Sequence, residues 1–117
     1  MSLSKTQQEF TVCVSQLINF ATSQGIGLTF GDAYRDERVH GVFGQKKSYS
    51  AKHSVHKKRL AVDFNVFVEG VYIMNGNHDA YKNLGEEWER MHELARWGGR
   101  FKGGDANHFS FEYQGFK

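Results

Sequence analysis

Apolar residues recur at two different periods along the chain. Phe10, Val14, Leu17, Ile18 and Ala21 fall at helical spacing, so residues 5–24 read as an amphipathic helix covering one face of a sheet. Ser4-Lys5-Thr6-Gln7 has the form of a capping box ahead of it, and Gly25 is its natural stop. The period then drops to two. Ile26, Leu28 and Phe30 alternate with Gly27, Thr29 and Gly31 as a strand that runs on into Asp32-Ala33-Tyr34-Arg35. Residues 36–53 are polar and Gly-bearing with no period, a length of irregular chain that often carries function. A second strand, 60–68, puts Leu60, Val62, Phe64, Val66 and Val68 on one face and Ala61, Asp63 and Asn65 on the other. Glu69-Gly70 turns it into a hairpin with Val71-Tyr72-Ile73-Met74, and Asn75-Gly76-Asn77 makes another turn. Residues 79–95 read as a helix with Trp88, Met91 and Ala95 on its apolar side, Gly85 a candidate break and Gly98-Gly99 its end. Phe109, Phe111 and Tyr113 alternate with His108, Ser110 and Glu112 in a last strand. The pattern is α+β: a small antiparallel sheet with helices packed mainly on one face.

Length and composition narrow this reading. At 117 residues the chain makes one domain, 1–117, with no room for a second. Its 39% hydrophobic and 15% aromatic content is that of a folded protein. A net charge of +2 gives no reason to expect nucleic acid. Lys46, Lys47, Lys52, Lys57, Lys58 and Arg59 form a local basic cluster, either a solvated loop or a cationic rim suited to an anionic polymer such as a bacterial wall. Cys13 stands alone and on the apolar side of the first helix, so it reads as a buried structural thiol. No apolar run suits membrane insertion, and the N-terminus has no apolar signal core, which predicts synthesis in a cytoplasm.

The chemistry gathers on Ser54-Val55-His56-Lys57-Lys58-Arg59-Leu60-Ala61-Val62-Asp63-Phe64. A carboxylate in the middle of so apolar a strand is costly unless paired. His56 stands seven residues before Asp63. An odd spacing on a continuous strand would put it on the opposite face, so it must enter from the preceding loop, with Lys57, Lys58 and Arg59 turning the chain. A loop histidine converging on a strand aspartate suggests a metal. A third ligand is then needed, and the segment from Asp105 through His108 to Glu112 offers candidates. His108 can reach Asp63 if the last strand lies beside the 60–68 strand.

These residues carry a resemblance. Ser54-x-His56 followed by Asp63, then Arg96-Trp97-Gly98-Gly99 and Asp105-x-x-His108, is similar to the zinc D,D-carboxypeptidase and L-alanyl-D-glutamate endopeptidase family, which cuts peptidoglycan stem peptides. The wording around Arg59-Leu60-Ala61 resembles its phage endolysin branch. The resemblance spans roughly residues 26–113 and implies the family's hedgehog/D,D-peptidase-like fold. It implies Zn2+ held by His56, Asp63 and His108, Asp105 as the catalytic acid–base and Arg35 near the scissile carbonyl. Many members carry Gly where Arg59 stands, and the chain after Arg35 lacks their Thr and Pro. Zinc with three protein ligands keeps a place for water and lowers its pKa to ~7. A base must still take the water proton, and Arg35 would supply charge to the oxyanion. By the same resemblance the chain is a monomeric single-domain endolysin without a separate wall-binding domain. It would be made in a bacterial host's cytoplasm, released through a holin pore, and would cut between L-Ala and D-Glu in preference to D-Ala-D-Ala.

Plainer readings stand beside each assignment. His53 and His56 are spaced for a helical metal pair. Asp63 has Arg59 as an alternative ion-pair partner, and Asp105 has a turn to cap after Gly103-Gly104. Trp88 and Trp97 read as core, and His40, His53, His78 and His92 as ordinary histidines. A non-catalytic zinc-stabilised module, such as a phage structural protein, would need no Asp105.

Overall fold

The computed structural model describes residues 2–117. Helix α1, Leu3–Ser23, begins two residues earlier than its periodicity suggests. Its cap is Ser2, whose hydroxyl accepts from the Lys5 N–H at 3.1 Å, and Ser4 lies inside the first turn. Phe10, Cys13, Leu17 and Ala21 form its buried stripe. Cys13 takes the place expected for Val14, which is only partly buried.

Four strands form the body of the sheet, in the order β1 (Ile26–Phe30), β2 (Ala61–Val68), β5 (His108–Phe111), β4 (Ala95–Trp97), with the short β3 (Val71–Tyr72) also on β2. Every pairing is antiparallel. Of the five residues expected on the core face, Val62, Phe64 and Val66 are buried in β2 and Leu60 just before it, while Val68 is only partly buried. The one-turn helix α2, Glu37–His40, lies in the aperiodic stretch, and helices α1 and α3 (Asp79–Met91) supply the rest of that core, where Trp88 sits edge-on to Phe10 and Phe109. Fully burying each such side chain contributes roughly 1.5–3 kcal/mol.

Helix α3 is shorter than expected. It stops at Met91, and Ala95–Trp97 is the strand β4, not a last helical turn. The His92 ring accepts the Leu94 N–H at 3.0 Å, turning the chain out of the helix. The pair Gly98-Gly99 therefore ends no helix and opens a 3-10 turn, Gly98–Arg100. The hairpin strand spans only Val71–Tyr72, and the last strand ends at Phe111.

Gly85 does not break α3. It lets the helix lie against the Trp97 ring, where an added Cβ would come within 2.0 Å of Cδ2. Gly99 also lies against that ring, where a Cβ would meet Cζ2 at 2.3 Å, and the indole N–H donates to Ala106 O at 2.7 Å. The Arg-Trp-Gly-Gly sequence is thus a packing device that anchors the turn leading to β5.

Ala for Gly in a helix interior ordinarily stabilises by up to about 1 kcal/mol. Gly85→Ala should do the opposite, lowering stability by about 1–3 kcal/mol through overpacking. Denaturant titration checks the sign, and a stabilised variant would refute the clasp.

Candidate metal centre

Antiparallel register sets Asp63 directly opposite His108, on the sheet face away from the helices. His56 reaches them from a 3-10 turn, Val55–Lys58, that ends at Arg59 in the left-handed region at φ 56°. Ser54 caps this turn, its hydroxyl accepting the His56 N–H at 3.3 Å. The expected entry of His56 from the loop is therefore what the chain does. One ligand atom from each of His56, Asp63 and His108 lies within 4.8 Å of the others.

The donor chemistry of this cluster fits a cation. His56 Nδ1 lies 2.7 Å from Ala33 O, a partner that can only accept, so this nitrogen carries the proton. Its Nε2 is then a lone pair, 3.3 Å from Asp63 Oδ1. His108 Nδ1 faces the same oxygen at 3.4 Å. His56 Nε2 and Asp63 Oδ1 are both buried without a hydrogen bond. Lone pairs brought face to face in this way suit a divalent cation between them. Two imidazoles and one carboxylate are the donor set of a zinc site that keeps a place for a non-protein ligand. Burial alone would raise the Asp63 carboxyl, but without a metal His108 and His56, once protonated, more than offset it and hold it well below the usual carboxylate range.

Asp105 stands beside this group and not within it. Its N–H donates to Gly98 O at 2.8 Å, and its own carbonyl accepts the His108 N–H at 3.0 Å. Gly98 is required for that turn, because a Cβ there would fall 2.0 Å from Asp105 O and 2.8 Å from His108 Cβ. The Asp105 carboxylate is half exposed, with Oδ2 3.9 Å from His108 Nδ1. Burial raises this carboxyl above its ordinary value; His108 opposes the rise and Asp63 adds to it.

Arg35 closes another side. Its Nη2 lies 3.9 Å from Asp63 Oδ2, and its backbone N–H donates to His56 O at 3.1 Å. Arg59 is not the partner of Asp63; its guanidinium lies over the Tyr34 ring at 3.9 Å. His53 does not join the cluster either, since it stacks on Phe116 at 4.2 Å. Lys57 leaves the expected cationic rim altogether. It is buried, with its ammonium donating to Gln45 O and Lys52 O, so it ties down the loop instead of facing solvent. Three neighbours went unnoticed in the sequence: Asp32, Tyr49 and Ser50, all of which meet around Arg35. Only the Asp32-x-x-Arg35 spacing hinted at them.

An α+β sheet that presents two imidazoles and a carboxylate beside a second acid defines a metallohydrolase class of site. Residues 48–111 match the M15 peptidase family model described as D-alanyl-D-alanine carboxypeptidase. The match takes in more than half of the chain, and the chain belongs to this peptidase family. Among solved structures it is similar to the L-Ala D-Glu endopeptidase ChiX of Serratia marcescens. The TM-score is 0.61 and the identity 20%, over 84% of this chain and 77% of that one, which is a likeness of fold. No curated protein matches. Among the described residues no helix is long and apolar enough to cross a membrane.

The depressed Asp63 carboxyl gives a pH dependence with a definite sign. A folded pKa below the unfolded value of about 3.9 stabilises above that pH and ceases to do so as pH falls toward the folded value. In chelator, the stability difference between wild type and Asp63→Asn should therefore shrink as pH drops below about 4. A difference that is flat across that window would refute the coupling.

Proposed function

We propose that the chain is a zinc-dependent endopeptidase that hydrolyses peptidoglycan stem peptides between L-Ala and D-Glu, as a phage endolysin. The observation that carries the metal reading is the buried, unbonded approach of His56 Nε2 to Asp63 Oδ1 with His108 Nδ1 beside them. In this reading His56, Asp63 and His108 hold the zinc. Zinc, when bound, supplies Lewis-acid polarisation of the scissile carbonyl and acidifies water to a pKa of ~7.

The chain's own residues supply the rest. The Asp105 carboxylate takes a proton from the attacking water and returns it to the leaving amine nitrogen. Its position at the rim, outside the cluster of three, suits a base that must meet substrate. Arg35 Nη2 faces the space beside Asp63 and donates toward the carbonyl oxygen as negative charge develops on it. The next carboxylate along the chain from Asp105 and the next arginine from Arg35 are engaged elsewhere. Glu112 pairs with Arg96 at 3.3 Å, and Arg38 pairs with Asp36 at 2.6 Å. As an endolysin the protein would be made in its bacterial host and reach the wall through a holin pore.

A second reading, D-alanyl-D-alanine carboxypeptidase, is favoured by the description of the matching family. Mass spectrometry of a peptidoglycan digest separates the two. New D-Glu amino termini support the endopeptidase, free D-Ala supports the carboxypeptidase, and neither product under any metal condition would leave a non-catalytic zinc module.

Two results follow for the site. His56→Ala and His108→Ala should each lose zinc, activity and the rise in melting temperature that zinc gives the wild type; full zinc occupancy in both would refute the ligand set. Asp105→Asn should keep zinc but lose roughly 100- to 10,000-fold in rate, and Arg35→Ala should keep zinc and lose roughly 100- to 1,000-fold in kcat. Zinc loss in Asp105→Asn would make Asp105 a ligand.

A further inference from the structure

The guanidinium of Arg35 spends its donors unevenly. Nε donates to Asp32 Oδ2 at 3.1 Å. Nη1 donates to Ser50 Oγ at 3.4 Å and to Ser54 Oγ at 3.3 Å. Nη2, the edge nearest Asp63, has no hydrogen-bond partner among the described residues. Its two N–H groups are the ones left for a ligand. Asp32 Oδ2 accepts a second bond, from the Tyr49 hydroxyl at 2.7 Å. The Tyr49 ring also lies over the guanidinium, 5.2 Å from its carbon. The backbone holds Asp32 in place independently of its side chain: Asp63 N–H donates to Asp32 O at 2.7 Å, one step beyond the β1–β2 ladder.

We infer that Asp32 and Tyr49 are positioning residues that aim Arg35 Nη2 at the reacting carbonyl. The inference rests on the catalytic role given to Arg35 above. A guanidinium is planar, so fixing Nε and Nη1 fixes the direction of Nη2. Asp32 fixes Nε, the two serines fix Nη1, and Tyr49 fixes the Asp32 carboxylate through the same oxygen, Oδ2. Tyr49 belongs to the aperiodic loop, so this pair also ties that loop to the metal centre. Neither the Asp32 nor the Tyr49 side chain is hydrogen-bonded to the metal cluster, and both side chains act only through Arg35.

The experiment is a double-mutant cycle with peptidoglycan fragments as substrate, zinc content measured for every variant. Tyr49→Phe keeps the ring and removes only the hydroxyl, on an exposed side chain, so it leaves the fold intact. Tyr49→Phe should lower kcat and kcat/KM together by roughly fivefold, and Asp32→Ala by roughly 10- to 100-fold, the worth of a neutral and a charged hydrogen bond. Zinc content should not change. Both losses should vanish in the Arg35→Ala background, which a general structural role would not produce. The Arg35 Nε–H resonance should exchange with water faster in both single variants. Losses that persist undiminished without Arg35, or an unchanged Nε–H exchange rate, overturn the inference. So does a wild-type rate in Asp32→Ala while Arg35→Ala is slow. A wild-type rate in Arg35→Ala itself is a different result, because it removes the catalytic role of Arg35 and this inference with it.

Discussion

The approach of His56 Nε2 to Asp63 Oδ1 is the contact around which the other parts of the site are arranged. Two acceptors 3.3 Å apart repel unless a proton or a cation lies between them. The fold removes the simplest relief, a swap of imidazole tautomer, by giving His56 Nδ1 a carbonyl that can only accept. Each neighbouring element holds one coordinate of the contact. The Ser54 cap sets the pitch of the 3-10 turn, the carbonyl of Ala33 sets the ring, and β2 sets the carboxylate. The β2–β5 register then adds His108 with no further device, because directly opposed residues share a face.

The two sheet faces divide the work. The core face carries the aromatic packing that makes β2 and β5 rigid, and the opposite face carries the polar cluster. That division explains why the glycines of the Arg-Trp-Gly-Gly segment bear on chemistry without touching it. Trp97 is held against Gly85 and Gly99, and Gly98 leaves room for the Asp105 carbonyl. The position of Asp105 relative to His108 is therefore set by packing on the far side of the sheet.

Much of this was legible because it rests on period and adjacency. The alternation in β2 fixed which residues face the core, and the odd step from His56 to Asp63 forced the histidine into the preceding loop. Local resemblance misled where two structures share a spacing. Trp88, Met91 and Ala95 fit one helical stripe, yet Ala95 begins a strand, because the His92 ring captures the next turn's N–H and no hydrophobic signal marks that event. Ser4 fits a capping box, but Ser2 stands two residues earlier and does the capping. Lys57 was hidden for another reason: a lysine can be buried when carbonyls meet its ammonium, and those carbonyls come from an aperiodic loop. Asp32 and Tyr49 meet across 17 residues of chain with no repeating pattern between them.

In the proposed site the same geometry would let an arginine stand beside a metal without either charge spoiling the other. A free guanidinium next to a divalent cation would repel it and weaken the site. Here Asp32 pairs with Arg35 through Nε, while Asp63 faces Arg35 with Oδ2 and the two imidazoles with Oδ1. At a distance the Arg35–Asp32 pair is nearly neutral. At contact range Nη2 remains a directional donor. In the role proposed for Arg35, the arrangement would keep the short-range hydrogen bonding that a developing oxyanion needs and discard the long-range field that would disfavour a cation. Lysine could not replace arginine here, because a single ammonium cannot bind Asp32 through one nitrogen and present another to the substrate.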